Sequence, residues 1–128
     1  IHMKDYITII KAIKKSWREK VDFIKTAHTN NDEQKIREYC TLIQGEAVEF
    51  GNMLENDGLQ WSNIIKKLEV ISEVCYQLVV KQIDINLFVS IMNYTLFLLD
   101  YFGGVYQKAV MIFQSWLFLR MRSIYKSG

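Results

Sequence analysis

The sequence contains no proline. Nothing in it forces a helix to break by removing a backbone N–H, and the hydrophobic patterns are helical throughout. Histidine and cysteine are scarce, with two of each in 128 residues. His28 has no second His or Cys at ligand spacing, so it reads as a cap near a helix C-terminus rather than a metal ligand. Cys40 and Cys75 both fall on apolar helix faces and read as buried free thiols, which suit a reducing cytosol. An excess of one charge sign is also missing: 16 Lys and Arg stand against 14 Asp and Glu, a formal balance of +2, and the cations are scattered. That argues against a nucleic-acid surface, which needs a clustered basic stripe. The longest uncharged run, 85–99, falls short of the ~20 residues a spanning helix needs. No phosphate loop or nucleophile motif occurs. Glu46 and Glu49 are three apart, with Glu55 and Asp57 close by, but no reciprocal carboxylate pair appears elsewhere, so they read as a solvated face. We read no catalysis, no metal and no cofactor.

What is present is apolar: half the residues are hydrophobic and 13% aromatic. A chain of this length is one domain and buries roughly two-thirds of its unfolded surface. Ile1, His2 and Met3 look like a cloning remnant and are left out of the fold reasoning; no signal peptide follows. The expected class is all-α. Residues 4–28 form an amphipathic helix, or two with a break near Ser16, followed by a loop at 29–32 in which Asn31 or Asp32 caps the next helix. That helix, about 32–44, carries Ile36, Tyr39, Cys40 and Ile43 on one face and ends at Gln44 and Gly45. Ala47, Phe50, Gly51 and Leu54 mark a further helix, stopped by Asn56, Asp57 and Gly58. Trp61, Ile64, Ile65, Leu68, Ile71, Cys75, Leu78 and Val79 then make one broad stripe over 60–81. Asp84 caps 85–102, which is apolar nearly all round and is expected to be surrounded by other helices. The stretches 60–81 and 85–102 form a central antiparallel hydrophobic hairpin. Gly103 and Gly104 break the chain before a last helix over about 105–122, with Tyr106, Ala109, Phe113, Trp116 and Leu117 facing inward.

The stretch from Asp57 to Ile64 resembles the first homology motif of the Bcl-2 family of apoptosis regulators, which runs Asp-Gly, apolar, Asn, Trp, Gly, Arg, apolar. Asp57, Gly58, Leu59, Trp61 and Ile64 fit it, Gln60 is a near match, and Ser62 and Asn63 depart from it. In the second motif, Gly103 and Gly104 match the family's glycine pair, while Leu98 and Val105 stand where it has tryptophan. The resemblance covers roughly residues 46–116. Its divergence and short length look like a viral member, of the type found in iridoviruses, poxviruses and asfarviruses. A helix stop followed by a core Trp in any helical bundle is the plainer alternative. Trp17, Val21 and Asp22 loosely resemble a BH3 core, although a plain amphipathic face fits them better. Many members end in a hydrophobic anchor; here the stretch from Arg120 onward is polar.

The resemblance implies a Bcl-2-fold helical bundle with a hydrophobic groove that holds an amphipathic BH3 helix through apolar anchors. Its floor and walls would come from the helix about 32–44, with Tyr39 and Ile43, from the helix pair at the elbow and from the start of the last helix. Phe50, Met53 and Leu54 would form a wall with Ile112, and Asn63, Lys66, Lys67 and Val70 would look in. In the family an Arg at the Asn63 position pairs with an Asp of the BH3 helix. Losing a hydrogen bond to a charged group, ~1.5–3 kcal/mol, weakens binding about tenfold to a hundredfold. Lys66 or Lys67 is expected to replace it as a point charge, with a narrow ligand range. The implied function is inhibition of apoptosis by capture of host BH3-only proteins (Bim-like), and of Bak or Bax, which blocks mitochondrial permeabilisation. The implied location is the host cytoplasm or the mitochondrial outer membrane. A homodimer through the groove would cover its apolar surface. Two alternatives stand beside this: a membrane-active Bcl-2-like protein that inserts the 60–102 hairpin, and a viral inhibitor of innate signalling on the same fold.

Overall fold

Four helices account for the periodicity: α1 (Tyr6–Thr29), α2 (Glu33–Asn56), α3 (Ser62–Val79) and α4 (Ile85–Ser127). The computed structural model describes residues 5–127, and no strand occurs among them; the reading of Ile1, His2 and Met3 as a remnant lies outside the described residues. α1 packs on α2 and α4, and α3 packs on α2 and α4. Paired contacts show each neighbour running antiparallel: Lys14 Nζ meets Asp100 Oδ2 at 3.2 Å while Tyr6 meets Gln107, and Asn63 meets Tyr106 while Lys67 meets Phe102. The result is an up-down-up-down four-helix bundle.

Side chains three and four residues apart line one face of each helix and close on one core. Trp17, Ile24, Ile43, Leu54, Ile64, Ile71, Phe88, Met92, Leu96 and Leu99 are all buried. The Trp17 indole N–H donates to Glu46 Oε2 at 3.3 Å, and Lys20 Nζ lies 3.3 Å from the other oxygen of the same carboxylate. Cys40 and Cys75 are both buried and free; the hydrogen bond with the Cys40 thiol, and burial after it, push the Cys75 thiol up.

Local chemistry sets the helix ends. Asp5, Asp32 and Asp84 cap α1, α2 and α4 by accepting the backbone N–H of Thr8, Lys35 and Leu87, as the short acidic side chains at those positions allow. α1, α2 and α3 each stop at a left-handed residue, Asn31, Gly58 and Lys81. There the following N–H reaches back to Ala27 O, Leu54 O and Gln77 O, satisfying carbonyls that the helix leaves over.

Of the two readings of residues 4–28 the single helix is the one found, α1 running through Ser16 without a break. Four expectations are corrected. α2 continues through Gly45, because buried Ile43 and Ala47 keep the core face in register on either side. Ala109, Phe113, Trp116 and Leu117, expected to face inward, are exposed, because α4 runs on past the helices packed against it. α4 continues through Gly103 and Gly104. A Cβ on Gly103 would lie 2.5 Å from Ile10 Cδ1, so this glycine permits close helix packing rather than a turn. The 85–102 segment is not enclosed: Phe88, Met92, Leu96 and Leu99 face the core, but Leu87, Tyr94, Phe97 and Tyr101 are exposed. α3 and α4 do form an antiparallel pair, as one side of a four-cornered bundle. α4 is also long and apolar enough to cross a membrane by length and composition.

Candidate protein-binding groove

The connection between α2 and α3 positions the site. Asp57 ends α2, and Gly58, at φ 73°, turns the chain. Glycine pays no steric penalty for that conformation. Trp61 opens α3 and is buried. Its ring stacks on Tyr106 of α4 at 5.1 Å and 10°, and meets Tyr6 of α1 edge-on at 5.0 Å and 70°. The Tyr6 hydroxyl donates to Asp57 Oδ2 at 2.6 Å. At the same level the buried Gln107 side chain accepts the Tyr6 backbone N–H at 3.2 Å. The elbow is therefore clamped to the start of α1 and to the middle of α4.

Next to this clamp an open groove of about 650 Å³ runs along the outer seam of α2 and α3. Ala47, Val48, Gly51 and Asn52 form one wall; Ser62, Ile65, Glu69 and Ser72 form the other; Gly58 and Leu59 close one end. Small side chains create it, since Ala47, Gly51, Ser62 and Ser72 leave the two helix surfaces unfilled. From Ser62 to Ser72 the wall is about 15 Å long, or three turns of a docked helix. Its floor is apolar, and its charged lining residues are Glu55 and Glu69.

The sequence-derived groove residues do not converge here. Ile43, Phe50 and Leu54 are core, and Met53 is half-buried against it. The Tyr39 ring lies 5.4 Å from Phe23 on α1. Asn63 Nδ2 donates to the Tyr106 hydroxyl at 3.4 Å, and Lys67 Nζ sits 5.9 Å from the Phe102 ring, so both belong to the α3–α4 seam. Lys66 and Val70 are exposed outside the groove lining, and Ile112 is exposed on the far part of α4. Of the motif residues, Gly58 lines the groove, Asp57 and Trp61 build the elbow, and Gly103 and Gly104 lie within α4. The residues that the reading missed carried a signal in the sequence. Ser62, Glu69 and Ser72 on α3 are small or polar positions at helical spacing beside a core stripe, and Ala47, Gly51 and Ile65, read only as core, also line the groove.

Two titrations bear on the clamp and the helix starts. Hydrogen bonds from Thr8 hold the Asp5 carboxyl below its ordinary range. Burial, with the Asp57 hydrogen bond and charge behind it, pushes the Tyr6 phenol up from 10.0 to about 12. The folded state keeps a proton that the unfolded chain releases above pH 10. This contribution to stability is therefore complete below that pH and is lost as pH rises toward 12. Urea melts across that window should show the loss in the wild type and a smaller one in Tyr6→Phe. No family model matches the chain, and no curated protein or solved structure does either.

Proposed function

We propose that this chain is a helix-binding interaction protein, which takes an amphipathic helix of another protein into the α2–α3 groove and catalyses nothing. The groove itself carries the reading: an apolar floor about three helical turns long, walled by small side chains and flanked by Glu55 and Glu69. Apolar anchors at i, i+3 or i+4 and i+7 on a docked helix fit such a channel. The two carboxylates favour cations at the edge of the ligand.

The Bcl-2 resemblance gives a more specific form of this proposal. In it, the ligands are BH3 helices of host pro-apoptotic proteins, Bim-like and also Bak or Bax. Their capture in the host cytoplasm or at the mitochondrial outer membrane blocks permeabilisation. Its support is the Asp57–Trp61 elbow at one end of the groove. Against it stand the acidic flanks, because the family's groove offers a cation to the ligand's Asp.

Isothermal titration of a Bim-like BH3 peptide, and of the same peptide with its Asp replaced by Lys, tests both levels. Gly51→Leu fills the channel and is expected to weaken binding at least tenfold, while Lys66→Ala and Lys67→Ala leave it unchanged. Tighter binding of the Asp→Lys peptide supports the general reading over the BH3 one; tighter binding of the Asp form supports BH3 capture. Indifference to Gly51→Leu with sensitivity to Lys67→Ala would place the site at the α3–α4 seam and remove the proposal.

A further inference from the structure

Beyond Val110, α4 leaves the bundle. Each side chain from Met111 to Lys126 is exposed, and the large apolar ones range from 39% for Leu117 to 83% for Tyr125. From Lys108 to Lys126 this overhang is about 28 Å long.

Its two sides differ. Eighteen residues make five full turns, so Phe113, Leu117 and Met121 repeat the positions of Thr95, Leu99 and Gly103, which are buried in the bundle. The core-facing line of α4 thus continues in register past the point where α1 and α3 stop covering it. Lys108, Ser115, Arg122 and Lys126 fall on a strip about 40° wide, on the side where Phe97 and Lys108 already face water. The overhang is patterned as a bundle helix whose partners are missing.

We propose that a second copy of this chain covers it, the two overhangs packing antiparallel about a twofold axis at Leu117. This reading does not rest on the groove and meets it only at Glu55, which lines one end of it. Length and charge choose the occupant. Residues 101–128 include no Asp or Glu, and the overhang carries Arg120, Arg122 and Lys126. Asp5, Glu55 and Asp57 stand at the end of the bundle from which it emerges, where Tyr6 contacts both Asp57 and Gln107. Pairing Lys108 with Lys126 of the other copy sets Leu117 on Leu117 and Phe113 on Met121. It also brings each basic tip to the acidic bundle end of the other copy, while the polar strips face water. Such a contact is isologous and closes on itself. A bilayer suits the pattern less well: the uncharged stretch 109–119 is about 16 Å long, half of a ~30 Å hydrocarbon core.

Sedimentation of the whole chain tests this. The wild type is expected at twice its 15.2 kDa mass, and Leu117→Glu with Met121→Glu is expected to raise the dissociation constant at least a hundredfold. Circular dichroism should show the bundle still folded, since these side chains lie outside its core. Arg122→Glu with Lys126→Glu should weaken the dimer about tenfold or more, and Glu55→Lys in the same chain should restore it. Leu117→Cys should cross-link to itself under mild oxidation and Ile112→Cys should not, the native thiols being buried. A wild-type monomer at 100 µM, or a dimer indifferent to Leu117→Glu and Met121→Glu, overturns the proposal. So does a monomer that floats with phosphatidylglycerol vesicles through the overhang, which would make lipid the occupant.

Discussion

Trp61→Ala is expected to destabilise the bundle by about 3–5 kcal/mol, the usual cost of deleting a buried large aromatic side chain. A domain of this kind has about 5–15 kcal/mol in total, so the loss is a large fraction of its stability and lowers Tm by roughly 10–20 °C. The effect should be large because one indole holds three elements. It stacks on Tyr106 of α4, meets Tyr6 of α1 edge-on, and stands at the N-cap of α3. Trp61→Phe retains a ring in the stack and should recover more than half of the loss. Urea denaturation followed by far-ultraviolet circular dichroism measures both. Because the elbow closes the groove at Gly58 and Leu59, Trp61→Ala should also weaken helix binding under conditions where it is still folded. Unchanged stability in Trp61→Ala would mean that the aromatic trio does not hold the elbow.

The two adjacent glycines of α4 are expected to respond in opposite directions. Gly104 has no atom within 4 Å of an added Cβ, so Gly104→Ala should stabilise by about 0.5–1 kcal/mol through helix propensity alone. At Gly103 the added Cβ would lie 2.5 Å from Ile10 Cδ1 and 3.7 Å from two more Ile10 carbons. Ile10 is 1% exposed and has little room to yield. Overpacking of this kind costs about 1–3 kcal/mol. Gly103→Val, bulkier and β-branched, should reach the top of that range or exceed it. Ile10→Val removes the offending methyl, so Gly103→Ala combined with Ile10→Val should be more stable than the sum of the single changes. Additive effects would show that Gly103 is not a packing glycine.

The same residue shows how far the sequence can be read. Gly-Gly signals a break when only local conformational freedom is considered. Whether it breaks the helix depends on what approaches it, and Ile10 lies 93 positions away in the chain. Helical periodicity, by contrast, is local, which is why the stripes of α1 and α3 and the acidic caps at Asp32 and Asp84 were legible. The groove was not. Asn63 and Lys67 sit on the flank of α3, and nothing local says which of two flanks meets α4 and which meets open solvent. The bundle turns that flank to Tyr106 and Phe102, and the opposite flank, with Ser62, Ile65 and Glu69, becomes the groove wall.

By itself the sequence determined an all-helical chain, its core stripes and three of its turns, since each depends on side chains within a few residues of one another. Only the tertiary structure decided that α4 is a single helix, that the cleft lies between α2 and α3, and that a core-patterned overhang is left uncovered. Those features depend on how long each helix is relative to the neighbours it packs against, a comparison that exists only once the helices lie side by side.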